Sequence, residues 1–313
     1  DLTAEELRPL TLIDCIRKVW GKIILHRINQ IWYKHSTLSP LQHCQRGKGT
    51  DSALLQRIAV NEAAQEAAFD LYTSSWDFRK AFDSVSKPII RLAWTRLGVP
   101  PDIVEWIASL DEHPNIIHLT PHSQAHWTPH PDHSLTEQYE NHPNPPHKLT
   151  AERGVGQGAG LSPATWNALM DILLRSLEII SPITNPLIPG RPGIVVASQD
   201  TCYADDLLSP AATLDNLQLK ADLVSAFALV FGLDIASNKL RLHCHLWSGI
   251  TPLSPPQLTL HGPNWQSTTL PVELSTNRHP LQLKYLGHTF DLDNSSHTLL
   301  DYLSIHISNQ CNR

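Results

Sequence analysis

The stretch TCYADDLLSP (residues 201–210) places two adjacent aspartates, Asp205 and Asp206, between short apolar segments. Neighbouring carboxylates repel each other and resist burial, so a pair in apolar surroundings calls for an explanation. Adjacent side chains on a strand point to opposite faces, and the two carboxylates converge only at a tight turn between two strands. The two flanking apolar segments permit a β-hairpin of this kind, with one of the aspartates at its turn. An exposed, merely solvated turn is the alternative.

A third carboxylate, Asp77, stands at the end of a segment that reads as a strand (71–78). Magnesium prefers oxygen ligands and commonly keeps substrate phosphates among them. Two magnesium ions held close together stabilise the attacking and leaving oxygens of an in-line phosphoryl transfer. Asp77, Asp205 and Asp206 together therefore predict a magnesium site, provided that the fold brings the two segments together.

The composition is compatible with an enzyme of phosphoryl transfer. The chain has 313 residues, of which 41% are hydrophobic, enough for a core in one large or two smaller domains. No apolar run approaches the length of a membrane span. The net charge is −6, but residues 1–60 carry nine Lys/Arg against five Asp/Glu. A basic N-terminal part beside an acidic remainder is compatible with a phosphate-contacting lobe and a metal-binding lobe.

Cysteine and histidine usage adds little evidence for other chemistry. Five scattered cysteines fit a reducing compartment rather than a disulfide framework. In His243-Cys244-His245 a strand would put the two histidines on one face and Cys244 on the other, which weakens the case for a metal site there. Eight histidines and seven prolines in 113–148 indicate a loop insertion, with a metal-binding loop as the less favoured alternative.

Helical and strand patterns alternate along the chain and predict an α/β or α+β fold. Helices are expected at 10–31, 50–69, 86–98, 102–110, from 162 past 177, and 214–231, with strands at 71–78, 194–197 and 283–287 and a proline-rich loop at 182–192. Ser162 is expected to cap its helix, Thr50 or Asp51 to cap the helix near 50, and Asp83 to cap the helix that follows it. No internal repeat is present.

The three aspartates belong to a longer series of sequence segments that follow one another in a defined order. They are TSSWDFRKAFDSV (73–85), RGVGQGAGLSPATWNALMD (153–171), YADD (203–206), GLDIASNK (232–239) and LKYLG (283–287). This series resembles the palm motifs of reverse transcriptases, particularly those of non-LTR, LINE-like retrotransposons. RPLTLIDCIRKVWGKIILHRI (8–28) and QRGKGT (45–50) resemble that family's fingers motifs. The resemblance implies an α+β right-hand polymerase fragment: fingers at 1–70, a palm with a small antiparallel sheet backed by helices at 71–290, and a truncated thumb or linker at 291–313.

The resemblance also implies residue roles at the metal. Asp77 and Asp205 match the principal metal ligands, Asp206 the third carboxylate, and the carbonyl of Phe78 a further ligand. Lys239 matches a lysine near the active site that could protonate the leaving pyrophosphate. Two Mg²⁺ ions are the implied cofactors, with Mn²⁺ as a substitute.

Further roles concern the nucleotide and primer. Phe82 matches the aromatic that excludes a 2′-hydroxyl and so selects deoxynucleotides; a plain core aromatic is the alternative. The other implied nucleotide contacts are Gln157, Gly158, Arg46 and Lys48, and the implied primer grip is Lys284, Tyr285, Leu286 and Gly287. Surface solvation is the alternative for the three cations Arg46, Lys48 and Lys239.

The family pattern is not complete. Ala159 follows Gln157-Gly158 where the family usually has an acidic residue, and Gly156 stands where many members have arginine. Two alternatives to an RNA-directed DNA polymerase therefore stay open: a non-catalytic relic that binds nucleic acid or protein, and an RNA-dependent RNA polymerase, against which Phe82 speaks. An active enzyme would use an RNA template, a DNA primer and dNTPs, without a membrane, and would work in the nucleus after cytoplasmic synthesis.

Overall fold

Seven helices and thirteen strands make up the part of the chain that the computed structural model describes, residues 15–109, 154, 160–189, 195–262, 266–276, 281–286 and 288–291. The helices are α1 (Cys15–His35), α2 (Thr50–Glu66), α3 (Ala81–Ser84), α4 (Lys87–Arg96), α5 (Pro101–Ser109), α6 (Ser162–Thr184) and α7 (Leu214–Phe231). The strands are β1 (Leu71–Trp76), β2 (Phe78–Arg79), β3 (Leu187–Pro189), β4 (Val195–Ala197), β5 (Thr201–Tyr203), β6 (Asp206–Ala211), β7 (Asp234–Ile235), β8 (Arg241–His245), β9 (Gln257–His261), β10 (Ser267–Pro271), β11 (Glu273–Ser275), β12 (Gln282–Tyr285) and β13 (His288–Asp291).

A five-stranded sheet in the order β11-β8-β1-β6-β5 forms the centre. Strand β1 pairs antiparallel with both β6 and β8, β5 pairs antiparallel with β6, and only the edge strand β11 runs parallel to its neighbour within this sheet. The remaining described strands form two-stranded pairs. The small, largely antiparallel sheet among helices confirms the predicted α+β class.

Helices cover both faces of this sheet. Successive side chains of β1 point to opposite faces, so β1 contributes to the packing on each side. On one face Trp76, 1% exposed, joins the main core with residues of α4, α6 and α7. On the other face Leu71 packs with Val60 and Ala64 of α2. Burial on both faces explains why β1 does not show a simple apolar–polar alternation. The predicted division of the chain at residue 70 stays a prediction.

The predicted strand at 71–78 is interrupted. Strand β1 ends at Trp76, and β2 begins at Phe78 and pairs with β7 instead of continuing in the central sheet. Asp77 lies at the break, where its carbonyl accepts a hydrogen bond from the Ala236 amide at 2.9 Å. The interruption releases Asp77 from the central sheet.

Three expectations about helix ends are wrong. Gly49, with an extended backbone, is the N-cap of α2, and the Ser52 hydroxyl reaches back to its backbone. Leu161 is the N-cap of α6, so Ser162 already lies in the helix. Asp83 lies inside α3 and does not cap α4, whose N-cap is Ser86.

The segment predicted as a proline-rich loop at 182–192 is also partly regular. Helix α6 continues through Pro182 to Thr184, and β3 follows at Leu187–Pro189. A proline in the last turn of a helix removes only one of the final hydrogen bonds. The Thr184 hydroxyl donates to the Ile180 carbonyl at 3.0 Å, an additional hydrogen bond in this last turn. The loop at 113–148 and the segment from 292 onward lie outside the described residues.

No helix among the described residues is long and apolar enough to cross a membrane.

A buried ion pair joins α7 to the sheet. The Lys220 ammonium donates to Asp200 at 2.8 Å, Asn185 at 2.6 Å and the Pro210 carbonyl at 2.6 Å. The side chains of Lys220 and Asp200 are both fully buried. The Pro210 contact is made on β6, so the pair fixes α7 against the strand that carries Asp206.

Replacing Lys220 with Met should destabilise the fold by about 3–5 kcal/mol, because Asp200 is then a buried charge without a partner. The double variant Lys220→Met/Asp200→Asn should recover part of the loss, since it leaves no unpaired charge. Urea unfolding of both single variants and the double variant measures the coupling. Equal losses in single and double variants would contradict the interpretation.

Candidate active site

The predicted hairpin is present. Tyr203 of β5 pairs with Asp206 of β6, which leaves Ala204 and Asp205 as a two-residue turn. Ala204 has a φ of +55°, the left-handed region that tight hairpin turns require and that a non-glycine residue enters at some cost. The turn therefore needs support from the surrounding structure.

The register of the sheet brings Asp77 to this turn. Trp76, the last residue of β1, pairs with Leu207 on β6, and Asp77 and Asp206 are the residues next to this pair on the side of the turn. The pKa of Asp206 is raised to about 6, first because of burial and then because of the negative charges of Asp205 and Asp77. The three carboxylates that the sequence singled out thus share one electrostatic environment, although Asp77 and Asp206 are more than a hundred residues apart in the chain.

Lys239 enters the same site. Its Nζ donates to both carboxylate oxygens of Asp77, at 3.1 and 3.0 Å. The charge of Lys239 opposes the increase in the pKa of Asp206. Lys239 therefore supplies a positive charge at a place where three carboxylates would otherwise repel one another.

The donor set fits a hard divalent cation, since it consists of carboxylate oxygens. As the side chains stand, no three His, Cys, Asp or Glu residues of the described ranges surround a common point as metal ligands would. The ammonium of Lys239 lies on Asp77 instead. A divalent cation bound through Asp77 would therefore have to compete with Lys239 for that carboxylate.

A residue that sequence reasoning missed, Gln42, supports the turn. Its fully buried side chain accepts hydrogen bonds from the amides of Ala204, at 3.2 Å, and Cys44, at 2.9 Å. Its Nε2 donates to the sulfur of Cys202 at 3.6 Å. One amide side chain thus holds the strained turn residue and the end of β5.

The backbone around Gln42 strengthens this contact. The Cys202 amide donates to the Leu41 carbonyl at 2.9 Å, and the His43 amide donates to the Cys202 carbonyl at 2.6 Å. The Ser39 amide donates to the buried carboxylate of Asp171 on α6 at 2.6 Å. The segment before α2 is therefore fixed to α6 and then to the hairpin. An isolated glutamine in a loop sequence carries no signal of this role.

Phe82, the implied sugar-contacting aromatic, lies on α3 next to the break after β1. It is half-buried and packs against Trp166 of α6, with ring centroids 5.5 Å apart. Gly154 lies against the same turn, since a Cβ at this glycine would come within 3.0 Å of the Asp83 Cα. Its amide donates to the Val85 carbonyl at 2.7 Å. The start of the Gln-Gly segment thus lies beside Phe82, while Gln157 and Gly158 lie outside the described residues.

Phe78 is in the core rather than in the solvent-facing part of the site. Its side chain is 2% exposed and meets Trp166 and Phe227 edge-on, each at a centroid distance of 6.1 Å. This packing fixes the chain directly after Asp77.

The two cations of the glycine-rich turn make contacts close to that turn. The Arg46 guanidinium lies 5.2 Å from the centre of the Tyr33 ring, a cation–π geometry. The Lys48 ammonium donates to the Pro40 carbonyl, and burial lowers the pKa of Lys48. Neither is paired with an aspartate of the site among the contacts of the described residues.

The implied primer grip packs onto the back of the hairpin. Tyr285 is buried with Leu54 and Leu208, and its hydroxyl lies 3.3 Å from both the carbonyl and the Oγ1 of Thr201. Burial raises the pKa of Tyr285. Lys284 is exposed and Leu286 has a φ of +51°, while Gly287 lies outside the described residues.

The two histidines of His243-Cys244-His245 share one face of β8, as predicted. They pair with Thr73 and Leu71 of β1, on the face that α2 covers. His245 contacts Ser275 at 3.0 Å and packs on Trp247. No metal-ligand group involves them among the described residues.

Known proteins are similar to this chain over most of its length. Residues 3–290 match the family model described as reverse transcriptase (RNA-dependent DNA polymerase). Similar curated proteins are the Pol polyproteins of the type-1 retrotransposable element R2 from Popillia japonica, 26% identical over 92% of this chain, and from Nasonia vitripennis, 24% identical over 91%. The chain covers 36% and 24% of these relatives, so it spans about a third or less of their length.

Among solved structures, telomerase from Candida tropicalis in complex with a fragment of telomeric RNA is similar over 81% of this chain and 37% of that chain. The sequence identity is 11% and the TM-score 0.47.

The contacts of Gln42 lead to a prediction. Gln42→Met should cost about 1–3 kcal/mol of unfolding free energy, because the Ala204 and Cys44 amides lose their acceptor. Hydrogen exchange at the Ala204 amide should accelerate. Gln30→Met, the same change at an exposed site, should stay within about 0.5 kcal/mol of the parent. Urea unfolding and amide exchange measure both effects, and unchanged exchange at Ala204 would disprove the support role.

Proposed function

The chain belongs to the reverse transcriptase family, and from this premise we propose that it is an RNA-directed DNA polymerase of a non-LTR retrotransposon. The observation that supports the proposal most is the convergence of Asp77 with the Asp205–Asp206 hairpin beside Lys239. In the proposed reaction a primer 3′-hydroxyl attacks the α-phosphate of a dNTP, a new phosphodiester bond forms, and pyrophosphate leaves.

Asp77, Asp205 and Asp206, with the carbonyl of Phe78, are the proposed ligands of two Mg²⁺ ions, for which Mn²⁺ could substitute. Bound there, the ions would supply charge stabilisation for the attacking and leaving oxygens. The protein supplies the position of the carboxylates: the β1–β6 register sets Asp77, and the core packing of Phe78 holds the chain behind it. Rigid placement matters because catalysis of this kind depends largely on orientation.

Lys239 has two proposed tasks. Without a divalent cation its ammonium neutralises Asp77, as the two short contacts indicate. Once Asp77 is engaged elsewhere, Nζ can donate a proton to the leaving pyrophosphate. A cation that is 55% exposed can move between these positions at small cost.

Phe82 is the proposed selector of the sugar. Its ring is half-buried against Trp166, so it cannot move away freely to admit a 2′-hydroxyl. This contact favours dNTPs over NTPs and speaks against an RNA-dependent RNA polymerase. Gln157 and Gly158 are proposed to contact the incoming nucleotide, Arg46 and Lys48 its triphosphate, and the segment 284–287 the primer end.

The proposed partners are an RNA template and a DNA primer, and the proposed place of work is the nucleus. A second candidate function, a relic that binds nucleic acid or protein without catalysis, is favoured by Ala159 in place of the usual acidic residue. The intact set of carboxylates favours the enzyme.

Replacing Asp205 with Asn should reduce the rate of primer extension on poly-rA/oligo-dT with Mg²⁺ and dTTP by on the order of 10²-fold or more, because a proposed charged ligand of the metal is lost. Asp83→Asn, which changes a neighbouring carboxylate outside the proposed metal set, should retain extension. A folded parent chain that gives no extension, yet binds the template, would support the relic instead.

Replacing Phe82 with Ala should raise the use of NTPs relative to dNTPs by about 10-fold or more, since the ring no longer fills the space beneath the sugar. Phe82→Tyr, which keeps the ring, should preserve the preference of the parent. Single-nucleotide extension with paired dTTP and UTP titrations measures the ratio. An unchanged ratio in the Ala variant would assign Phe82 to core packing alone.

A further inference from the structure

A buried cation on α2 has no counter-charge among the described residues. Arg57 is 4% exposed, and its Nε and Nη1 have no hydrogen-bond partner. Although burial lowers the pKa of Arg57 to about 10, the group stays protonated at neutral pH. Buried guanidinium nitrogens that make no hydrogen bond are unfavourable, so a ligand at Nε and Nη1 would lower the free energy of the fold.

The other buried cation shows what the fold does elsewhere. Lys220 meets the carboxylate of Asp200 at 2.8 Å and two further oxygens. In the ion pairs of the described ranges, no Asp or Glu stands opposite Arg57 in this way. The chain therefore satisfies one buried cation with its own carboxylate and leaves the other without one.

Arg57 lines a small cavity between α2 and the strands of the hairpin. Ser198, Thr201, Leu208 and Pro210 form its opposite wall. Ser198 is fully buried, and its hydroxyl also lacks a partner. Two unsatisfied polar side chains, one of them a permanent cation, thus line the same cavity.

The size and chemistry of the cavity restrict its occupant. There is room for about one particle of the size of a water molecule, which is too little for a phosphate. Gln56, Gln199 and Thr201 add neutral polar side chains to the lining, but no lining residue is acidic, so a charge that balances Arg57 has to come from the occupant. We propose that this cavity is a binding site for a single halide-sized anion, chloride in the cell, held by the guanidinium of Arg57 and the hydroxyl of Ser198.

Such a site would make the stability of the palm depend on the chloride concentration of the solution. The cavity wall contains Thr201 and Leu208, a registered pair of β5 and β6. An anion bound there would join α2 to the strands that carry the paired aspartates. The site does not depend on the polymerase activity, since it uses none of the proposed catalytic residues.

Halide binding can be observed directly in the parent protein. Crystals of the full chain grown in bromide should show an anomalous scattering peak within about 3.5 Å of the Arg57 guanidinium, a contact distance for a large anion. A cavity that contains a water molecule without anomalous signal, or nothing, would overturn the proposal. This experiment requires no variant and no active enzyme.

Thermal unfolding provides a second test. Replacing glutamate by chloride at constant ionic strength should raise the Tm of the parent by about 2–4 °C at chloride near ten times its Kd. Arg57→Met should lose this response, whereas Arg91→Met, which removes a half-buried cation paired with Glu105, should keep it. An equal response in both variants would mean a general salt effect and would contradict the site. If Arg57→Met does not fold, the bromide experiment decides alone.

Discussion

The antiparallel pairing of β1 with β6 is the constraint on which the rest of the molecule depends. It sets Trp76 against Leu207 and thereby brings Asp77 to the hairpin that carries Asp205 in its turn and Asp206 at the start of β6. It also fixes which side chains face α2 and which face α6 and α7. A register shift of one residue would exchange these faces and separate the carboxylates at the same time. The requirements of the core and of the site therefore select the same pairing.

The charged groups in the interior and at the site differ in how their charge is neutralised. Three carboxylates at the hairpin are opposed by Lys239, a buried lysine on α7 is opposed by Asp200, and Arg57 has no such partner among the described residues. The first arrangement is open to solvent and can exchange its cation, whereas the second is closed and structural. Position relative to solvent, rather than residue type, separates the exchangeable charge pair from the fixed one.

Sequence patterns predicted a large part of this arrangement, for physical reasons that differ between elements. The hairpin was predictable because two short apolar segments flank the paired aspartates, and α7 because Gly232 ends it in the left-handed conformation. Pro182 was misleading, since a proline near the end of a helix removes only one of its backbone hydrogen bonds. Gln42 and Arg57 could not be found, because their importance comes from burial against segments distant in sequence. The alignment of Asp77 with the hairpin required the family resemblance, as no local pattern reports long-range register.

The order of strands in the central sheet has a consequence for synthesis of the chain. Strand β1 lies between β6 and β8, so it has no neighbour in this sheet until the ribosome has released residues far downstream. Such non-local pairings form slowly, and a strand without neighbours is prone to wrong associations. Helix α2, which immediately precedes β1 and packs on Leu71, can cover one face early. The helix would then shield that face of β1 until β6 and β8 have been synthesised.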